Sequence, residues 1–187
     1  MERSLASNWW MLAIRGALAI AFGVAVLFWP GLAWVVIVGL FAGYALLDGA
    51  FAIAAAVTGH NHGRQWWALV LEGIVGLAAG FLTLLWPDVT ELILLYLIAF
   101  WAITTGAMEI AVAVRLRRDI AGEWALGLAG VLSIVFGLMA LLIPAAGALA
   151  VAWLIAAYAI SFGALLLIVA LRLRGGPRGP TTRVGAV

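Results

Sequence analysis

The sequence predicts an all-α integral membrane protein with six transmembrane helices, arranged as three parallel two-helix hairpin repeats with both termini in the cytoplasm. Three observations predict this: an extreme apolar composition, six long apolar runs, and a residue register that returns every 57 positions. Of 187 residues, 67% are hydrophobic and 10% charged, whereas a soluble globular domain is roughly 45 to 50% apolar and about 25% charged. A disordered chain is excluded by the same numbers, since it needs low hydrophobicity and high charge. A net charge of +2 without a single Lys supplies no basic groove, which excludes nucleic acid as a partner. With no Cys there is no disulfide framework, thiolate metal site or Cys nucleophile.

About 20 apolar residues cross the roughly 30 Å of bilayer hydrocarbon. Runs of this length occur near Trp9 to Phe28, Ala33 to Val57, Trp66 to Leu85, Leu92 to Val114, Trp124 to Ile143 and Ala148 to Leu171. The breaks alternate in character. Trp29-Pro30-Gly31, Trp86-Pro87-Asp88 and Pro144-Ala145-Ala146-Gly147 are tight, and because Pro cannot continue a helix they read as hairpin turns. Thr58 to Gln65 and Arg115 to Glu123 are longer and polar. Arg15 interrupts the apolar region that a cleaved signal peptide would need, and no small-residue cleavage site follows, so the first helix is read as retained.

Arg3, Arg64, Arg115, Arg117, Arg118, Arg172, Arg174, Arg178 and Arg183 all fall on one side of this arrangement. The three tight turns carry no Arg, and their only charges are Asp88 and Glu91. The positive-inside rule then puts the Arg-bearing side and both termini in the cytoplasm of a bacterial inner membrane, and Pro30, Pro87 and Pro144 in periplasmic turns. Trp9, Trp10, Trp66, Trp67 and Trp124 fall at the inner interface and Trp29, Trp34 and Trp86 at the outer one, an aromatic belt. Residues 1–174 read as one membrane domain and 175–187 as a disordered basic tail.

At an offset of 57 residues Trp10, Trp67 and Trp124 superimpose, as do Pro30, Pro87 and Pro144, and then Tyr44, Trp101 and Tyr158. The repeats run over about 10–57, 67–114 and 124–171, and an even number of spans in each makes them parallel rather than inverted. Lipid gives helices no hydrophobic reason to associate, so close packing through small residues must do it. The aligned glycines Gly16 and Gly23, Gly73 and Gly80, Gly130 and Gly137 are the expected packing faces, with small-residue patches at Gly39-x-x-x-Gly43 and Gly76-x-x-x-Gly80.

Four ionisable residues lie within the spans: Arg15, Asp48, Glu72 and Glu109. Such residues cost about 2.5 to 3.5 kcal/mol each on insertion scales and are usually paired and interior. Counted at 1.5 Å per residue, Arg15, Glu72 and Glu109 lie ~8 Å inside the cytoplasmic boundary and Asp48 ~13 Å. They are therefore expected to form a buried charged cluster that responds to pH, with an Arg15 to Glu72 bridge between the first and third helices. The alternative is that Arg15 and Glu109 snorkel to the interface and merely anchor their helices. The third repeat carries Ala129, Phe162 and Leu166 at these positions and reads as structural.

No His-Glu-x-x-His, Gly-x-Ser-x-Gly, or Gly-rich phosphate loop with Lys is present, so no enzyme and no cofactor are expected. His60 and His62 in a short loop without a third ligand read as ordinary loop residues rather than a metal site. The series Arg15-Gly16, Phe22-Gly23, Trp29-Pro30-Gly31, Asp48-Gly49, Trp66-Trp67-Ala68-Leu69, Leu71-Glu72-Gly73, Trp86-Pro87, Ala113-Val114-Arg115-Leu116-Arg117, Gly122-Glu123-Trp124, Tyr158-Ala159-Ile160 and Phe162-Gly163 resembles the HdeD-type acid-resistance membrane proteins of bacteria. The resemblance covers residues 9–174 and implies a six-helix inner-membrane protein linked to survival of acid stress. Two other readings stay open: a proton-coupled transporter of a small molecule or ion, and a structural subunit. The expected partners are the lipid bilayer and either a second copy or a larger membrane protein.

Overall fold

The computed structural model describes residues 9–58, 66–116 and 123–174, and these form six helices. They are α1 (Trp9–Phe28), α2 (Gly31–Thr58), α3 (Trp66–Leu85), α4 (Pro87–Leu116), α5 (Glu123–Leu142) and α6 (Pro144–Arg174). Each is long and apolar enough to cross a membrane. The Gly/Pro/Arg tail, the two His and the residues between α4 and α5 lie outside the described residues.

The tight breaks are shorter than the sequence implies. In each, the last helical N–H bond of the odd helix closes one residue before Pro: Trp29 N–H donates to Ala25 O, Trp86 to Leu82 O and Ile143 to Met139 O, all at 2.8 Å. Pro87 and Pro144 then serve as the first residues of α4 and α6, where the missing N–H costs nothing and the fixed φ suits a helix. The even helices consequently begin earlier than hydropathy places them and absorb Asp88 and Glu91. They hold 28, 30 and 31 residues against 20 in each odd helix, roughly 42 to 47 Å against roughly 30 Å.

The chain divides into two compact units, residues 30–152 and the segment to Trp29 together with that from Trp153. Within the first, α2 packs along α3 and α4 along α5. A Cβ placed on Gly73 would stand 2.9 Å from Gly49 O, and one on Gly130 would stand 2.6 Å from Gly106 O. Within the second unit α1 meets α6 in the same way, Gly16 against Gly163 O at 2.8 Å. Two turns further on, Gly23 meets Ile160, Gly80 meets Leu46 and Gly137 meets Ile103. All three pairings use equivalent repeat positions. Each odd helix is therefore seated on an even helix of a different repeat, so the packing pair and the sequence repeat are out of step.

Gly39 and Gly43 do not pack at all: a Cβ on either meets nothing within 4 Å. The contact line of α2 runs through Val38, Ala42, Ala45, Gly49 and Ala56. Gly39 and Gly43 each lie one residue further on, about 100° around the helix, which turns them away from α3. Gly76 and Gly80, by contrast, face α2, and a Cβ on Gly76 would stand 3.0 Å from the Gly49 Cα.

Candidate functional site

The expected buried charged cluster is not formed. Arg15 and Glu72 are exposed, and Asp48 and Glu109 are only half-buried. The helical register explains this. Arg15, Asp48 and Glu72 immediately precede the crossing glycines Gly16, Gly49 and Gly73, so each side chain leaves its helix about 100° from the contact line. Glu109 instead lies three residues past Gly106, on the same side of α4, and its Cβ is 3.1 Å from where a Cβ on Gly130 would be. Its Oε2 is buried without a hydrogen-bond partner among the described residues.

The aromatic residues divide in two. Trp10, Trp66, Trp67 and Trp124 at the Arg-bearing end and Trp29 and Trp86 at the Pro-turn end are exposed, and the Trp9 ring receives Arg174 at 5.2 Å. Trp34 does not belong to the belt. It is 4% exposed, and its indole N–H donates to Ala148 O at 3.1 Å, tying the start of α2 to the start of α6. A buried indole needs a partner for its N–H, and here the α6 backbone supplies it.

Trp34 leads to a region where a carboxylate and open space coincide. Trp34, Glu91 and Ala148 are equivalent repeat positions, each in the opening turns of an even helix, and all three line a cavity of ≈ 200 Å³ with Pro30 and Ala145. Trp34 and Glu91 also line a second cavity of ≈ 300 Å³, bounded by Val38 and Gly39 of α2, Thr83 of α3 and Pro87 of α4. Thr83 is 2% and Thr90 8% exposed. Thr90 Oγ1 donates to Thr83 Oγ1 at 3.2 Å, while Thr83 donates to Ala79 O at 2.8 Å. Glu91 is thus the charged group of both cavities. Sequence reasoning placed it only as a charge at a turn. The signal was in the register, where a carboxylate aligns with a Trp and an Ala.

Among the described residues no three His, Asp or Glu side chains stand close enough to hold a metal ion. A family model described as a short repeat of unknown function, DUF308, matches three times, over residues 14–80, 71–139 and 128–186. No curated protein and no solved structure matches the chain.

Proposed function

Since the chain belongs to the DUF308 family, we propose that it is a non-enzymatic multi-pass protein of the bacterial inner membrane, with its termini in the cytoplasm, that supports survival of acid stress. The observation that carries this reading is the ordered HdeD-type motif series running through all three repeats, with Arg15, Asp48 and Glu72 each beside a helix-crossing glycine. Exposed apolar side chains along the helices, such as Leu18, Leu40 and Leu154, support the membrane setting, because lipid solvates a surface that water would penalise. The skewed Arg distribution supports the orientation.

Asp48 and Glu72, which immediately precede Gly49 and Gly73 at the α2 to α3 crossing, are the charged side chains nearest that contact in sequence. Loss of the chain is expected to lower survival of an acid challenge at least tenfold, with wild type restoring it and the Asp48→Asn, Glu72→Gln double variant failing to. Equal survival with and without the chain sinks the acid-stress reading and leaves the membrane assignment standing.

Proton-coupled transport is a second reading, favoured by the buried, unpartnered Glu109 Oε2, since lone carboxylates inside a membrane mark proton or ion paths. It predicts pH-driven proton flux into proteoliposomes that Glu109→Gln abolishes. Flux no greater than in empty liposomes removes it.

A further inference from the structure

We infer that the cleft at the Pro-turn ends of α2, α3 and α4 is a binding site for an amphiphile with an ammonium head group and an apolar chain. The inference rests on the membrane reading above and is independent of the acid-stress one.

The cleft is built by departures from the repeat. Gly39 stands where the other repeats have Tyr96 and Trp153, Thr83 where they have Val26 and Ala140, and Glu91 where they have Trp34 and Ala148. The first departure removes a large ring and leaves open space, since nothing lies within 4 Å of a Cβ at Gly39. The volume, ≈ 300 Å³, is at the lower end of the roughly 300 to 1,000 Å³ typical of small-molecule pockets. Val35 and Leu84 at its border are exposed, so an apolar chain can reach it sideways along the helices.

Charge selects the head group. Glu91 is half-buried, and a carboxylate in an apolar cleft is costly unless a cation meets it. Asp88, one turn earlier on α4, adds to the negative potential. Within residues 30–152 the described helices carry one basic side chain, Arg115, 24 residues beyond Glu91, which is about 36 Å along α4. Among the described residues of this unit no basic side chain reaches Glu91, so a counter-charge for the ionised carboxylate is one supplied from outside it. Ca²⁺ and Mg²⁺ take six or more oxygen ligands, and this cleft offers one carboxylate and the Thr83 hydroxyl among apolar walls. An ammonium group needs only that carboxylate, and the Trp34 side chain, held by its bond to Ala148 O, lines the same cavity.

The test is equilibrium retention by the full-length protein in maltoside micelles, with labelled dodecylamine, phosphatidylethanolamine, phosphatidylglycerol and dodecanol as probes. Wild type is expected to retain dodecylamine, phosphatidylethanolamine or both, and to discriminate against dodecanol and phosphatidylglycerol. Retention by phosphatidylethanolamine identifies a membrane lipid as the source, and retention by dodecylamine alone a free amphiphile. Glu91→Gln removes the charge and Gly39→Leu fills the space. Each is expected to weaken retention at least tenfold, with helix content and elution volume unchanged. Equal retention of dodecanol and dodecylamine, or undiminished retention by a folded Glu91→Gln variant, overturns the inference. If Glu91→Gln does not fold, Gly39→Leu decides, since a Cβ at that position meets nothing within 4 Å.

Discussion

The crossing of α2 and α3 offers a sharp test of what holds the helices together. A Cβ on Gly49 would stand 2.6 Å from Leu77 N, 2.9 Å from Gly73 O and 3.0 Å from Gly76 C. All three obstacles are backbone, so no rotamer change relieves them. Ordinary contact begins at 3.4 Å, so Gly49→Ala forces the two helices apart by about 0.8 Å, the difference between that distance and the 2.6 Å available. Overpacking of this kind costs about 1 to 3 kcal/mol. Ala gains about 1 kcal/mol over Gly in a helix interior, so at the upper end of the range, appropriate to a backbone obstacle, the net loss is about 2 kcal/mol. Gly39→Ala, on the same helix and with nothing within 4 Å, keeps the gain without the cost and is expected to be neutral or stabilising. The assay is thermal denaturation of purified protein in one detergent, read by loss of the monodisperse elution peak. Gly49→Ala at or above wild-type stability, or Gly39→Ala destabilised as much as Gly49→Ala, refutes the reasoning.

Trp34→Phe removes the donor to Ala148 O while keeping most of the ring, and should lower thermal stability by about 1 kcal/mol, the typical worth of one hydrogen bond; an unchanged melting point says that the bond is idle. Thr83→Val and Thr90→Val each break the buried hydroxyl pair and should each cost about 1 kcal/mol, whereas the double variant should cost less than their sum, because replacing both partners leaves no orphan. Additive losses in a double-mutant cycle argue against that coupling. Arg174→Gln loses the cation–π contact with Trp9, worth about 0.5 to 1 kcal/mol at an exposed site, and its stability effect should vanish in a Trp9→Leu background.

Helix number, approximate spans and the 57-residue register were legible in the sequence because each is a local or periodic property. Hydropathy reports the spans, and superposition reports the period. The partner of each odd helix was not legible. Gly73 and Gly80 mark a face, but a face packs equally well on the even helix before it or after it, and the period is the same for both. Gly39 and Gly43 misled for a related reason: a small-xxx-small spacing says that a backbone can be approached, whereas α2 offers α3 a line one residue away, through Ala42, Ala45 and Gly49. The charges misled because depth along a helix says nothing of direction around it. Arg15 and Glu72 have the depth of an interior cluster and the azimuth of an exposed side chain.

Where the three repeats agree and where they part serve different ends. The crossing glycines recur at every equivalent pairing, as the same backbone approach requires the same missing side chain each time. Positions 34, 91 and 148 do not agree: Trp, Glu and Ala cannot do one job three times. Packing alone would be satisfied by three apolar residues there, and a lone carboxylate is the costliest choice for it. Gly39 aligns with Tyr96 and Trp153, whose rings are exposed, so the missing ring opens surface beside the cavity. The departures gather on one cleft, and chance substitution has no reason to place a charge, a hydroxyl and an open space side by side at the ends of three helices. A binding site of the kind inferred above would, which makes the departures at positions 39, 83 and 91 the place to test first.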